Sequence, residues 1–188
     1  MRGRKARMAW IAERRRQSRF EAVVLPHLDA GYALARWLTR NDADAADVVQ
    51  EACLRAFRYF DGFRGGDAKS WLLRIVRRTC YDWLARNRPA ELVPLEVEDD
   101  QDGSLRNPSV GAVDADALLQ TRSDLRRLDL LVEGLPPPLR EVVVLRELQE
   151  LDYRQIAEVT GVPIGTVMSR LHRARAALRR AWDGKGCK

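Results

Sequence analysis

Between Thr166 and Arg180, the side chains Arg170, Arg173, Arg175, Arg179 and Arg180 make a basic stripe at helical spacing, with Met168, Ser169 and His172 among them. Such a set suits a polyanion that also presents hydrogen-bonding edges. Arginine makes bidentate contacts to guanine, serine and threonine serve base or phosphate, and further arginines neutralise backbone charge. Val167 and Leu171 belong to the core side of the same helix. Upstream, Tyr153 to Thr160 places Ile156 and Ala157 inward on a short helix. Gly161 tolerates a positive φ, Val162 plugs the core, and Pro163 suits the opening of the next helix. A short helix, a tight turn and a second helix with a polar outer face are the parts of a DNA-reading helix-turn-helix. The other reading of the stripe is an ordinary solvated arginine face, and the coincidence of turn, core positions and stripe favours DNA. Arg154 and Tyr153 fit helix entry and phosphate contact, and His172 fits either a base contact or a surface histidine.

The rest of the chain is read for the elements that position these residues. Apolar residues recur at helical spacing from Phe20 through Leu38, with a kink expected near Pro26 or Gly31. The run Asp44 to Phe60 puts Val48, Ala52, Ala56 and Phe60 on one stripe, and Asp44 and Asp47 favour the positive end of its dipole. After the Asp61-Gly62 and Gly65-Gly66 breaks, Ala68 to Arg88 gives a third helix with Trp71 and Trp83 on its core face. No period survives from Ala90 to about Val113. Helical spacing then returns at Leu118, Leu119, Leu125, Leu128, Leu131 and Val132, and resumes after Pro136-Pro137-Pro138. No strand pattern competes, so the expected fold is all-α: two small helical domains joined by a flexible acidic linker.

Charge follows the same division. Residues 1–19 carry eight basic and one acidic side chain, residues 20–88 eleven and nine, residues 89–120 one and eight, and residues 121–188 thirteen and nine. A net charge of +6 points to polyanionic partners, and segregation of this kind marks separate roles along a chain. The expected segments are a disordered basic tail over 1–19, a first domain over 20–88, an acidic linker over 89–116 and a second domain over 117–183. Cys53, Cys80 and Cys187 are far apart, with only His27 and His172 as companions, which supports neither a disulfide framework nor a metal site. No cofactor is implied. With no apolar leader and no spanning run, cytoplasmic residence without membrane insertion is expected.

The front half decides among the many proteins that carry a helix-turn-helix. Asp47-Val48-Val49-Gln50-Glu51-Ala52, followed by Leu54, Arg55, Ala56 and Phe57, resembles the core-binding helix of region 2 in bacterial sigma factors. Phe63-Arg64-Gly65-Gly66-Asp67, then Trp71-Leu72-Leu73-Arg74-Ile75 with Thr79 and Asp82-Trp83-Leu84, resembles the promoter-melting part of that region. Leu135-Pro136 with Arg140-Glu141-Val142, Gln155-Ile156-Ala157, and Gly165-Thr166-Val167-Met168-Ser169-Arg170-Leu171 look like region 4. Together these strings resemble the extracytoplasmic-function (ECF) class of the sigma-70 superfamily over about Phe20 to Trp182.

That resemblance implies a non-enzymatic specificity subunit of RNA polymerase. Region 2 is implied to bind the β′ clamp and open the minus-ten element, and region 4 to meet the β flap and read the minus-thirty-five element. An anti-sigma factor is an implied inhibitor, and no small-molecule substrate is implied. Asp47, Gln50, Glu51, Leu54 and Arg58 lie off the buried stripe and would face the polymerase, unless Asp47 and Glu51 serve only the helix dipole and local pairs with Arg55. Phe60, Phe63, Arg64 and the glycine loop through Lys69 would form a base pocket, with Arg74, Arg77 and Arg78 tracking backbone. The minus-thirty-five set is Arg154, Thr166, Met168, Ser169, Arg170, His172, Arg173 and Arg175. Family members often carry Asn at the place of Arg78, which leaves the minus-ten base preference open. The acidic linker fits either a nucleic-acid mimic in the polymerase channel or a solvated tether, and the basic tail either upstream DNA or polymerase or neither.

A stand-alone regulator would want a sensor or dimerisation helix, and a mimic that titrates an anti-sigma factor would need little DNA-reading chemistry. An enzyme would want a carboxylate pair, a nucleophile with its base, or a phosphate-binding glycine loop, none of which the sequence offers.

Overall fold

A run of strong helix formers, chiefly arginine, lysine, alanine, methionine and glutamate, carries helix α1 over Arg2–Val24 in the computed structural model, which describes residues 2–92 and 115–183. Residues 2–19, expected from their charge to be a disordered tail, are instead helical. Their anchor is Phe20, whose ring meets Phe57 edge-on at 5.1 Å and Phe60 at 5.3 Å. Pro26 then ends the regular helix, as expected, in a tight turn over Leu25–His27. Helix α2 follows over Leu28–Thr39 and passes through Gly31 without a break. A Cβ on Gly31 would stand 3.3 Å from Val76 Cγ2, so glycine here permits a close helix–helix approach.

Helix α3 spans Asp42–Tyr59 and begins two residues before the expected Asp44, because Asn41 caps it by accepting a hydrogen bond from the Asp44 amide at 3.1 Å. Asp67 caps helix α4, Ala68–Asn87, by accepting from the Ser70 amide at 3.1 Å and from the Ser70 hydroxyl at 2.6 Å. Alanines 45, 52 and 56 line the buried side of α3 and let it lie close to Leu34 and Leu38 of α2 and to Leu72, Leu73 and Val76 of α4. Truncating one of these buried leucines to alanine costs about 2–5 kcal/mol.

The rear half comprises α5, Ala115–Gly134, and α6, Pro137–Val143, which widens into a π turn over Val144–Leu148, then α7, Tyr153–Thr160, and α8, Ile164–Asp183. Asp152 and Gln155 form a reciprocal capping box at the start of α7, with bonds of 2.8 and 2.9 Å. Gly161 at φ +72° turns the chain into α8, where Val167, Leu171 and Ala174 pack on Ile156 and Val159 of α7 and on Val142 and Leu145. Leu125 and Leu128, expected on an apolar stripe, are exposed on α5, whereas Val132 is buried. The described residues are helical with no strand, so the chain is all-α. Residues 93–114, most of the expected linker, lie outside the described residues.

The two halves pack against each other. Arg140 of α6 is 1% exposed and donates to the carbonyls of Trp37 at 3.1 Å and Leu38 at 3.3 Å at the end of α2, and to Leu135 O at 2.7 Å. Burial, with the neighbouring charge of Arg40, pulls its pKa down to about 10. At the same boundary Arg36 and Glu133 pair at 3.4 Å.

Candidate nucleic-acid interface

In the helix-turn-helix, α7 supports and α8 presents. The core contacts of Val167 and Leu171 rotate α8 so that Met168, Ser169 and His172 face outward and are exposed, while Thr166, Arg170, Arg173 and Arg175 stand at the half-buried flanks. Arg154, the second residue of α7, is exposed as well. This is the surface anticipated from the arginine stripe, with two of its members engaged. Arg170 Nη1 lies 3.3 Å from Glu141, and Arg175 donates to Glu147 at 2.7 Å.

The second basic surface is a cleft of about 340 Å³ beside the start of α4. Its walls are the loop from Gly62 to Asp67, Trp71, Arg74 and, from the opposite domain, Glu158. Gly65 and Gly66, both at φ +96°, give the loop a path closed to other residues. Phe63 lies between Phe60, on which it stacks at 6.1 Å, and Trp71, whose ring is tilted against it at 5.0 Å. The cleft is large enough for a small planar ring, and an aromatic wall beside a guanidinium suits a base joined to a phosphate.

Several expected members of this pocket sit elsewhere. Phe60 is buried core, because Phe20 and Arg19 cover it, and it does not line the cleft. Lys69 turns away and donates to Gln149 O at 2.7 Å. Trp71, read as core from its spacing, is half-buried and forms a cleft wall. Arg64, Arg74 and Arg78 are exposed, whereas Arg77 points into the domain boundary. There it donates to Glu141 at 2.7 and 3.1 Å, and its guanidinium lies 4.4 Å from the Tyr81 ring centroid.

Glu141 is fully buried between these arginines. Burial pushes its carboxyl above the ordinary carboxylate range, opposed by the charges of Arg77 and Arg170. Sequence reading missed both Glu141 and Arg140 as buried charges. Their positions between Leu139 and Val142 were the available signal, since helical spacing puts part of that turn inside.

The exposed face of α3 gives a third surface. Asp47, Gln50, Glu51, Leu54 and Arg58 are all exposed and share one face, each three or four residues from another of the set, while Val48, Ala52 and Ala56 face inward. Glu51 also pairs with Arg55 at 2.8 Å, and Arg55 reaches Asp82 of α4 at 2.6 Å.

The family models match in the order these surfaces occur: Sigma-70 region 2 over residues 23–89, and Sigma-70, region 4 over residues 125–178. The ECF RNA polymerase sigma-E factor of Escherichia coli (strain K12) is 36% identical over 141 residues, which cover 72% of each chain. The chain belongs to the ECF RNA polymerase sigma factors.

ECF RNA polymerase sigma factor SigE of Mycolicibacterium smegmatis is 32% identical over 160 residues, which make up 85% of this chain and 60% of that protein. Two solved structures are similar over most of the chain. The sigma factor RpoE of Bartonella quintana, solved with the anti-sigma factor NepR, superposes with TM-score 0.64 at 25% identity, covering 87% of this chain and 96% of that one. CnrH, solved with the cytosolic domain of CnrY, gives 0.62 at 26%, covering 89% and 90%. In this ECF member, region 2 corresponds to α2 through α4 with the end of α1, and region 4 to the helices from the second half of α5 onward. Among the described residues no helix is long and apolar enough to cross a membrane.

Proposed function

We infer that this chain is a sigma subunit that binds core RNA polymerase and directs promoter-specific initiation under the control of an anti-sigma factor. The carrying observation is that a single chain holds, in region order, an aromatic and basic cleft at the start of α4 and an exposed DNA-reading face on α8. The Asp47, Gln50, Glu51, Leu54 and Arg58 face meets the β′ clamp, and region 4 meets the β flap. Arg64 and Arg74, with Phe63 and Trp71 behind them, hold an extruded minus-ten base and its phosphate, and Arg78 extends the backbone track. Thr166, Met168, Ser169, His172 and Arg173 enter the minus-thirty-five groove, with Arg154 on phosphate. The chain supplies specificity to the polymerase's chemistry and has none of its own, and it works in the cytoplasm.

The closed packing bears on this mechanism. The two promoter elements are named for positions roughly 25 base pairs apart, about 85 Å along duplex DNA. Arg77 and Arg170 meet on the same carboxylate, so both elements cannot be read until the domains part. The 22 residues between Leu92 and Ala115 can reach about 75 Å when extended, which permits that separation.

The test is transcription from genomic fragments by core polymerase with and without the purified chain. Discrete chain-dependent start sites are expected. Operator-like binding by the chain alone, with no polymerase-dependent transcript, would instead make it a stand-alone regulator.

A further inference from the structure

Among the described residues, the side-chain bonds that hold helix α1 to other elements lie at its rear. Arg16 donates to Phe57 O at 2.7 Å and to Asp61 at 2.9 Å, Arg19 donates to Phe63 O at 3.2 Å, and Val24 is buried. Ahead of Arg16, every described side chain from Arg7 to Arg15 is exposed except Ile11, which is half-buried. Trp10 is 61% exposed and Met8 65%. At 1.5 Å per residue, the part of α1 before Arg16 extends about 20 Å beyond its anchor.

Among the described residues, the side chains from Arg7 to Arg15 make no hydrogen bond or ion pair to another element, and the charge of the segment repels itself. Arg7, Arg14 and Arg15 form no ion pair among the described residues, while the nearby Glu13 turns to Arg16 at 3.4 Å. Arg2, Arg4 and Lys5 extend the basic run in the sequence. A solvated helix of this kind gains little from its own hydrogen bonds and is stabilised by whatever neutralises it.

The arrangement of its side chains separates two kinds of polyanion. A helix that lies on a lipid surface segregates apolar from charged residues. Here Arg7, Trp10 and Arg14 lie on one line at spacings of three and four, and the Arg14 guanidinium sits 5.0 Å from the Trp10 ring centroid. Ile11 and Arg15 share another line in the same way. Guanidinium groups interleaved with an exposed indole match a nucleic acid, whose phosphates and base faces also alternate.

The anchor fixes where that nucleic acid lies. Arg16 and Arg19 grip the Phe57 to Phe63 segment, which runs directly into the Gly62 to Asp67 wall of the cleft. We propose that the free half of α1 is a further single-stranded DNA contact, in which Arg7, Arg14 and Arg15 hold phosphates and Trp10 stacks on an unpaired base next to the strand seated in the cleft. This rests on the promoter-melting role of the cleft, and extends the DNA path beyond it.

The free segment is exposed in the closed chain, so the test needs no polymerase. Binding of the full chain to a labelled single strand of about 20 nucleotides, and to the matching duplex, is measured by fluorescence anisotropy across salt concentrations. Replacing Arg7, Arg14 and Arg15 together by alanine is expected to weaken single-strand binding about tenfold or more at low salt and to flatten the salt slope by about 2. Trp10→Ala is expected to weaken single-strand binding roughly fivefold or more and to leave duplex binding within twofold. Unchanged affinity and slope in the triple variant overturn the proposal. So does tight binding to phosphatidylglycerol vesicles that buries Trp10 while single-strand binding ignores the triple substitution. A chain that fails to bind core polymerase defeats the sigma reading by a separate measurement, and core affinity is expected to be unchanged in all of these variants.

Discussion

Glu141 on α6 and Arg77 on α4 form a two-pronged ion pair, at 2.7 and 3.1 Å, across the boundary between regions 2 and 4. The carboxylate is fully buried and is shared with Arg170 of the recognition helix. One acidic side chain thus occupies an arginine from each DNA-binding half. Glu141→Ala leaves both guanidinium groups in the boundary without their counter-charge, a loss on the order of 3 kcal/mol. The expected result is a shift toward separated domains, read as a larger radius of gyration in small-angle scattering, with helix content unchanged. A scattering profile identical to that of the parent chain rejects a closing role for Glu141.

Glu141 also gives folding stability a pH dependence. The groups facing it are Arg77, Tyr81 and Arg170, and burial outweighs them in raising its pKa above the ordinary 4.5. A carboxyl raised on folding contributes stability that is fully present below 4.5 and is lost as the pH rises through its folded-state value. Thermal melting followed across mildly acid pH should show that fall, and Glu141→Gln should flatten it. An undiminished pH response in the Gln variant assigns it to another group.

The α3 face is open to a direct assay. Gln50→Ala with Glu51→Ala changes only exposed side chains, so the melting temperature should stay within about a degree or two, as for most surface substitutions. Core polymerase affinity should fall tenfold or more if these residues sit near the centre of the interface. Titration of labelled core enzyme measures it, and unchanged affinity removes the face from the polymerase contact.

On α8, Arg173→Ala and Ser169→Ala are expected to differ in kind. Loss of a base-reading arginine costs about 1–3 kcal/mol and relaxes preference at one position of the minus-thirty-five element, whereas loss of a phosphate contact weakens all sequences alike. Holoenzyme binding to a library of minus-thirty-five sequences separates the two outcomes for each variant.

The turn of the helix-turn-helix carries its own cost. Gly161 at φ +72° occupies a conformation that a Cβ disfavours by roughly 1–2 kcal/mol. Gly161→Ala should lower the melting temperature by about 2–4 °C for each kcal/mol, and Gly161→Asn by less. Equal melting of the alanine variant and the parent places no demand on glycine here.

Much of this molecule is legible in the order of its residues. Helix periodicity located the α3 and α4 stripes, and Pro26, Gly161 and Pro163 punctuated the chain where it breaks, because each limits or frees φ in a way that acts locally. Exposure of the α3 face followed equally, since burying Val48, Ala52 and Ala56 turns Asp47, Gln50 and Glu51 outward whatever else packs nearby. Tertiary structure decided what local rules cannot reach. Phe60 became core and Trp71 a cleft wall because Phe20 and Arg19 arrive from α1, about forty residues away, to cover one ring and not the other. The arginines of α4 and α8 look alike in sequence, yet Arg77 and Arg170 meet a buried carboxylate, Arg74 meets the exposed Glu158 at 3.9 Å, and Arg78 stays exposed. A charge on a helix face is fixed by the sequence, but its partner is fixed only by which other helix comes to lie across it.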